Sequence, residues 1–297
     1  MRKIIALLKR NPIYILLLFL PAVLIAELAG GSSLLIFILS CLALVPLAGL
    51  IGLATESLAH YLGPKLGGLL NATLGNAAEL IITLVAIREG LLDLVKASIT
   101  GSIIGNLLLV MGLAMLLGGA KNGVQKFDQK QASNHSILLT LAVMALVIPS
   151  IFSKFIGPEH SIGVESLSLG VAGVMILLYA LGIYYSLKHQ SSPLGYNPHQ
   201  AKDEHKGGLS IGAAIALLAF STAGVVWLSE LLVGEVEHVV TGLGLSEFFL
   251  GIILIPVIGN VAEHLVAVQV ARRNQMDLSV EIAVSSSAQI ALFVAPL

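Results

Sequence analysis

Two short segments hold the residues most suited to chemistry, in the order Gly-Asn-x-x-Glu, at positions 75–79 and 259–263. Each segment lies in the middle of an apolar stretch long enough to cross a membrane. A carboxylate at the centre of a membrane helix costs about 2.5–3.5 kcal/mol on insertion scales, so it normally faces a partner or an ion path. The two segments lie 184 residues apart, and Arg88 recurs at the same spacing as Arg272. The chain is therefore predicted to contain a repeat with an ionisable centre.

All the donor atoms in these segments are oxygens. Glu79 and Glu263 supply carboxylates, and Asn76 and Asn260 supply amide oxygens. The glycine that opens each segment favours a broken helix, whose carbonyls can turn toward a bound ion. Such a ligand set suits Ca²⁺ better than Zn²⁺ or copper. Because neighbouring carboxylates repel each other until a cation or protons neutralise them, Glu79 and Glu263 are predicted to bind Ca²⁺ and protons in competition.

The next apolar stretch of each repeat has a second polar group. Asn106 follows Ser102 in the first repeat, and Gln289 follows three serines at 285–287 in the second. An amide here could supply a carbonyl ligand, or it could orient the carboxylates. Interhelical hydrogen bonding between small residues is an equal alternative for the serines. We assign Asn106 and Gln289 to the metal site, and we keep Ser102 and Ser286 as access-path candidates.

The composition predicts a polytopic membrane protein. Hydrophobic residues make up 57% of the chain and charged residues 11%, and the mean hydropathy is +0.95. The net charge of −1 gives no indication of a nucleic-acid partner, and the single cysteine excludes an internal disulfide. There is no phosphate-binding loop to support ATP-driven pumping. Tyr14 and Trp227 fit an interfacial aromatic belt.

The apolar runs divide the chain into membrane spans of about 20 residues each. We place these spans at 12–30, 34–58, 67–88, 94–118, 135–153, 163–187, 209–232, 247–271 and 279–297. With a cytoplasmic N-terminus, thirteen Lys and Arg residues lie inside and three outside, which is the usual bias. Glu235, Glu237 and Glu247 then fall in an outer loop, and the two motif helices run in opposite senses.

Opposite senses require an odd number of helices in each repeat. We therefore predict an N-terminal helix at 1–33, a first five-helix repeat at 34–188, a cytoplasmic linker at 189–208 and a second repeat at 209–297. The second repeat holds only three helices, so it is expected to be truncated by about two. The pattern fits a plasma membrane or an organellar or thylakoid membrane, and it leaves the oligomeric state open.

Three further ionisable residues are candidates for an access path. Glu56, near the inner end of the second span, and Glu230, near the outer end of the seventh, occupy related positions. Interfacial carboxylates that simply reach water are the alternative. His264 follows Glu263 and could tune it near neutral pH, although adjacent helical residues point about 100° apart and a packed histidine explains it equally well.

The paired segments, the stretches that follow Asn106 and Gln289, and the repeat-linker-repeat layout resemble the Ca²⁺/H⁺ exchanger (CAX) family. The resemblance implies an all-helical protein with two inverted five-helix repeats and alternating access. It also implies that Glu79 and Glu263 are shared Ca²⁺ and proton sites surrounded by the four amides. Sodium-coupled relatives usually carry a Ser/Thr-x-Pro-Glu type of segment, whereas Ala78 and Ala262 precede the glutamates here. This departure favours protons.

The sequence thus predicts a secondary antiporter that exports Ca²⁺ from the cytosol in exchange for H⁺. Its partners would be these two ions and the lipid bilayer, and it would need no resident cofactor. A sodium-coupled or broader exchanger that accepts Mn²⁺ is the first alternative. A cation channel with the same midplane acids is a second. An enzyme is the least favoured class, because the serines at 285–287 have no histidine partner at motif spacing.

Overall fold

The computed structural model describes residues 12–156, 161–188 and 209–297, and within these ranges the chain is helical and has no strand. The predicted linker at 189–208 lies outside the described residues. The helices are α1 (Pro12–Leu28), α2 (Ser33–Leu74), α3 (Ala77–Arg88), α4 (Leu92–Asn122), α5 (Gln129–Ile156), α6 (Ile162–Lys188), α7 (Ile211–Gly234), α8 (Val236–Leu243), α9 (Glu247–Arg272) and α10 (Met276–Val294).

Six segments of the described residues are long and apolar enough to cross a membrane. They are the Ser33–Gly63 part of α2 together with α4, α6, α7, α9 and α10. Because a spanning helix satisfies its backbone polar groups internally, such segments are stable in lipid. The predicted all-helical membrane fold is confirmed.

The stretch between α7 and α9 is not simply a loop, so the prediction of an outer loop there was wrong for residues 236–243. Val236 and Val239 of α8 are buried, whereas Glu237 and His238 are exposed. This i, i+3 spacing gives the short helix one apolar face. The three glutamates had suggested a solvated loop, but the two valines between them decide the structure.

The chain breaks at the first motif glycine and not at the second. Gly75 and Asn76 form a turn between α2 and α3, and Asn76 has the non-helical angles φ −104° and ψ 28°. Gly259, by contrast, lies within the continuous helix Ile255–Arg272. The expectation of a break at both glycines was therefore wrong for the second. A further kink occurs at Gly63, whose φ of 77° is accessible mainly to glycine.

Three π-helical turns interrupt the α-helices near the polar positions. Gly105–Val110 in α4 contains Asn106, and Ile290–Val294 in α10 begins directly after Gln289. The third, Leu250–Leu254, precedes Pro256 in α9. Because Pro256 lacks an N–H, it cannot make the α-helical bond to Ile252, which accounts for the irregular turn. Such turns are frequent at functional sites.

The described chain forms two compact units. The first takes residues 12–63, 73–101 and 209–263, and the second takes 64–72, 102–156, 161–188 and 264–297. The first unit is built around fully buried leucines of α2 and α7, including Leu47 and Leu228. The second unit has a cluster formed by Ala114, Ala271 and the first half of α10. Each unit draws on both predicted repeats.

Candidate ion-binding site

The first unit brings the two Gly-Asn-x-x-Glu segments into contact. The side chain of Glu79 on α3 lies directly against the backbone of Gly259 on α9. A Cβ atom placed on Gly259 would be 3.0 Å from Oε1 of Glu79, 3.2 Å from its Cδ and 3.3 Å from its Cγ. A side chain at position 259 would press on the Glu79 carboxyl, and glycine avoids this crowding. The second motif glycine therefore makes room for the first motif carboxylate.

Glu263, one helical turn beyond Gly259, is close enough to Glu79 for the two carboxylates to act on each other electrostatically. Glu79 is 4% exposed and Glu263 is half-buried. Oε1 of Glu79 is buried and accepts no hydrogen bond from the described residues. A buried carboxylate beside a second one is unfavourable until a cation or a proton neutralises the charge. This geometry suits an ion-binding pair.

The two motif asparagines are also buried in the first unit, with exposures of 3% for Asn76 and 1% for Asn260. Nδ2 of Asn260 donates a hydrogen bond to the carbonyl of Pro256 at 3.0 Å. This bond ties the nitrogen end of the amide to its own helix, so the oxygen end is the one turned away. The four polar residues of the paired segments therefore belong to one compact unit.

A separate polar cluster forms in the second unit around Asn106. Its Oδ1 lies 2.9 Å from Nε2 of His264, and its Nδ2 donates to Oγ of Ser286 at 3.2 Å. Because an amide oxygen only accepts, this contact requires the proton on Nε2 of His264. Both ends of the Asn106 amide are thus hydrogen-bonded, and its oxygen keeps a second lone pair.

The remaining candidates of the second unit are buried. Ser102 is 2% exposed and Gln289 is 7% exposed. Ser287 donates to the carbonyls of Ile103 at 3.4 Å and Ala283 at 2.9 Å. The bonds of Ser286 and Ser287 show that interhelical hydrogen bonding, the alternative reading of the serines, applies to both.

Glu56 and Glu230, the access-path candidates, are exposed. Oε1 of Glu230 pairs with Nη1 of Arg88 at 3.5 Å, and both side chains are more than half exposed. An exposed ion pair of this kind contributes about 0–1 kcal/mol to stability. The pair links the C-terminal end of α3, the helix that carries Glu79, to α7.

Tyr14 is a residue that sequence reasoning placed wrongly. It is buried, with 6% exposure, rather than lying in an interfacial belt. Its hydroxyl would be 3.9 Å from a Cβ on Gly49, and it lies within electrostatic reach of Glu56. Tyr14 lies in an apolar run, and the sequence of such a run does not show whether a tyrosine is buried in the protein or lies at the membrane interface.

Among the described residues, no group of three or more His, Cys, Asp or Glu side chains could hold a metal ion. The paired segments hold two carboxylates, of Glu79 and Glu263, together with the neutral amide oxygens of Asn76 and Asn260.

Gly259→Ala tests the packing of Glu79 directly. The added methyl would meet the Glu79 carboxyl at 3.0 Å and displace it, because the end of a flexible side chain gives way more easily than backbone. We expect apparent Ca²⁺ affinity in a vesicle uptake assay to fall by about tenfold while the melting temperature is held or rises, since Ala is the better helix former. Gly212→Ala, where nothing lies within 4 Å, is the matched control. Unchanged affinity in Gly259→Ala would contradict the assigned contact.

The helices of spanning length make this a polytopic membrane protein, and two of its helices carry acidic segments that contact each other. The family model described as sodium/calcium exchanger protein matches residues 32–188 and 213–297. The chain belongs to this family.

Several characterised relatives are similar over nearly the whole chain. The Ca(2+)/H(+) antiporter of Aphanothece halophytica is 43% identical over 306 residues, covering 98% of this chain and 81% of its own. The Ca(2+)/H(+) antiporter ChaA of Bacillus subtilis is 43% identical over 278 residues, with coverages of 93% and 78%. The vacuolar calcium ion transporter of Schizosaccharomyces pombe is 36% identical, with coverages of 95% and 69%.

Two solved structures have the same fold. Native YfkE superposes with a TM-score of 0.80 at 40% identity, covering 96% of this chain and 80% of its own. A structure described as the H+/Ca2+ exchanger CAX has a TM-score of 0.72 at 18% identity, covering 97% of this chain and 72% of its own. At that identity the second comparison shows the fold alone.

Proposed function

We propose that this protein is a secondary antiporter that exchanges Ca²⁺ for protons at Glu79 and Glu263. The observation that carries the proposal is the seating of the Glu79 carboxyl against Gly259, with Glu263 in electrostatic reach. Two carboxylates from matched segments thereby share one buried place. The relatives named as Ca(2+)/H(+) antiporters support the choice of ions.

Coupling follows from competition for the same two groups. When both carboxylates are ionised they attract a divalent cation strongly, and when both are protonated they have little affinity for it. One Ca²⁺ and two protons are alternative ways to neutralise the pair. A carrier that moves only when the pair is neutralised would exchange one for the other, and the matched repeats would present the pair to each side in turn.

The proposed ligands beyond the carboxylates are the oxygens of Asn76 and Asn260, with Asn106 and Gln289 as further candidates. The first two belong to the same unit as the carboxylates. Asn106 is hydrogen-bonded to His264 and Ser286, and its oxygen keeps one lone pair beyond the contact with His264. No resident cofactor enters the scheme. Ca²⁺ is the cargo, and Mn²⁺ is a competing cargo because it accepts the same oxygen ligands.

Protons are favoured over sodium as the counter-ion. Ala78 and Ala262 precede the two glutamates, and both positions lack the hydroxyl or proline of a Ser/Thr-x-Pro-Glu segment.

We further propose a cytoplasmic N-terminus and net export of Ca²⁺ from the cytosol. The distribution of Lys and Arg supports this orientation. Bacterial and vacuolar proteins both occur among the relatives, so a plasma membrane or an organellar membrane is compatible with the sequence.

Uptake of Ca²⁺ into inside-out vesicles under an imposed proton gradient tests the function. We expect uptake that stops when a protonophore collapses the gradient and that ignores replacement of sodium. Uptake that follows a sodium gradient would identify sodium as the counter-ion. Flux that needs no counter-ion gradient would identify a channel. Either result would overturn the proposal.

A further inference from the structure

Three buried hydroxyls of the first unit, including that of Ser40, lack hydrogen-bond partners among the described residues, and two of them form a related pair. This pair belongs to Thr55 on α2 and Ser229 on α7, both 0% exposed. Hydroxyls in membrane helices usually donate to the carbonyl one turn back, as Ser57 does to Leu53 and Ser221 to Leu217. Thr55 and Ser229 do not adopt this arrangement. A buried polar atom without a partner costs about 1–3 kcal/mol, so its presence calls for an explanation.

The two hydroxyls occupy related places, each directly before a glutamate in a helix that comes ahead of a Gly-Asn-x-x-Glu segment. Thr55 directly precedes Glu56 and Ser229 directly precedes Glu230, and the two pairs lie 174 residues apart. In each pair the glutamate is exposed and the hydroxyl is buried. Successive helical residues differ by about 100° in direction, so each hydroxyl faces inward where its neighbouring carboxylate faces outward. Ser40, which also lacks a partner, has Ala214 at the corresponding position and shows no such match.

The helices that carry these hydroxyls flank the helices that carry the paired glutamates. α7 packs along α3, and Gly49 of α2 lies 3.5 Å, measured from an added Cβ, from the methyl of Ala262 next to Glu263. α2 and α7 also contact each other, where Leu47 packs on Gly224. All of these residues lie in the first unit. The two buried hydroxyls therefore lie on helices that pack directly against the helices carrying Glu79 and Glu263.

We propose that the hydroxyls of Thr55 and Ser229 are oxygen partners of the partly hydrated cation, one on each side of the Glu79–Glu263 pair. The inference rests on the proposed exchange function and on the proposed orientation, which places Thr55 toward the cytosol and Ser229 toward the opposite side. A hydroxyl rotates to accept from a bound water or to face a cation, and it adds no charge. It eases loss of the cation's water shell without holding the ion tightly.

The test uses variants that remove only the hydroxyl, Thr55→Val and Ser229→Ala. The matched controls are Ser57→Ala and Ser221→Ala, whose hydroxyls are bonded to their own helices. Ca²⁺ transport is measured in inside-out and right-side-out vesicles, and the melting temperature is measured in detergent. We expect Thr55→Val to raise the half-saturating Ca²⁺ concentration about tenfold from the cytosolic side, and Ser229→Ala to do so from the other side. Both variants should keep or gain melting temperature, and Thr55→Ser should restore transport.

Normal transport in both variants would overturn the inference while leaving the exchange function intact. Loss of transport together with loss of melting temperature would also overturn it, because that result indicates packing. A wild-type protein that shows no proton-driven Ca²⁺ transport would overturn the proposed function, and the inference would fall with it.

Discussion

Glu79→Gln and Glu263→Gln are each expected to reduce proton-driven Ca²⁺ uptake by more than about a hundredfold. Each variant removes one of the two charges proposed to hold the divalent cation, and with it one of the two protons proposed to drive the return step. A glutamine has nearly the same shape, and it keeps a neutral oxygen against Gly259 where Glu79 is replaced. The loss should therefore lie in transport rather than in folding. Uptake in vesicles and the amount of folded protein are measured together.

Glu89→Gln is the matched control for these substitutions. Glu89 lies ten residues beyond Glu79, just past the exposed end of α3. It changes the net charge by the same amount without touching the buried pair, so uptake should stay within about twofold of wild type. Substantial uptake in Glu79→Gln or Glu263→Gln would mean that the cation binds elsewhere, and the assignment of the pair would be wrong.

Gly101→Ala is expected to have the largest effect on stability. A Cβ on Gly101 would lie 2.7 Å from the carbonyl carbon of Ile252 and 2.7 Å from Cγ of Pro256, and the Ile252 oxygen would clash as well. The obstacle is backbone in the π-helical turn of α9, which cannot swing aside as a side chain does. The contact is equally close seen from α9. A Cβ on Gly251 would lie 2.8 Å from the backbone oxygen of Leu94 and 2.7 Å from Cβ of Ala97, both on α4. Overpacking of this kind costs about 1–3 kcal/mol or more.

Thermal unfolding in detergent measures the effect of Gly101→Ala, with Gly112→Ala as its control. Gly112 lies on the same helix, and nothing lies within 4 Å of its added Cβ. Alanine there should leave the melting temperature unchanged or raise it slightly, because it is the better helix former. Equal melting temperatures for the two variants would refute the close crossing of α4 and α9.

Much of the class and of the candidate site could be predicted before any coordinates. Apolar runs of spanning length determine an all-helical membrane protein, because lipid leaves the backbone no other way to satisfy its polar groups. The paired segments at 75–79 and 259–263 stand out for the same reason, since a carboxylate in such a run is costly. A carboxylate that recurs in two apolar runs therefore indicates a functional site even when only one sequence is known.

The positions of the helix breaks and the hydrogen-bond partners of the polar side chains could not be predicted in this way. Gly75 and Gly259 open matching Gly-Asn-x-x-Glu segments, yet the chain turns only at Gly75. Gly259 lies within a continuous helix, against the side chain of Glu79. The sequence likewise offered no sign that Asn106 would bond His264, 158 residues away. The choice between turn and helix depends on neighbours distant in the chain.

The sequence by itself predicted the membrane setting and singled out the two recurring segments with their carboxylates, because these features depend only on residue type and spacing. Only the tertiary structure decided which backbone faces Glu79, that Tyr14 is buried beside Gly49, and that Thr55 and Ser229 turn their hydroxyls inward without partners. These outcomes are set by packing between helices. Their energies depend on contacts between residues far apart in the chain, for which a single sequence has no local signal.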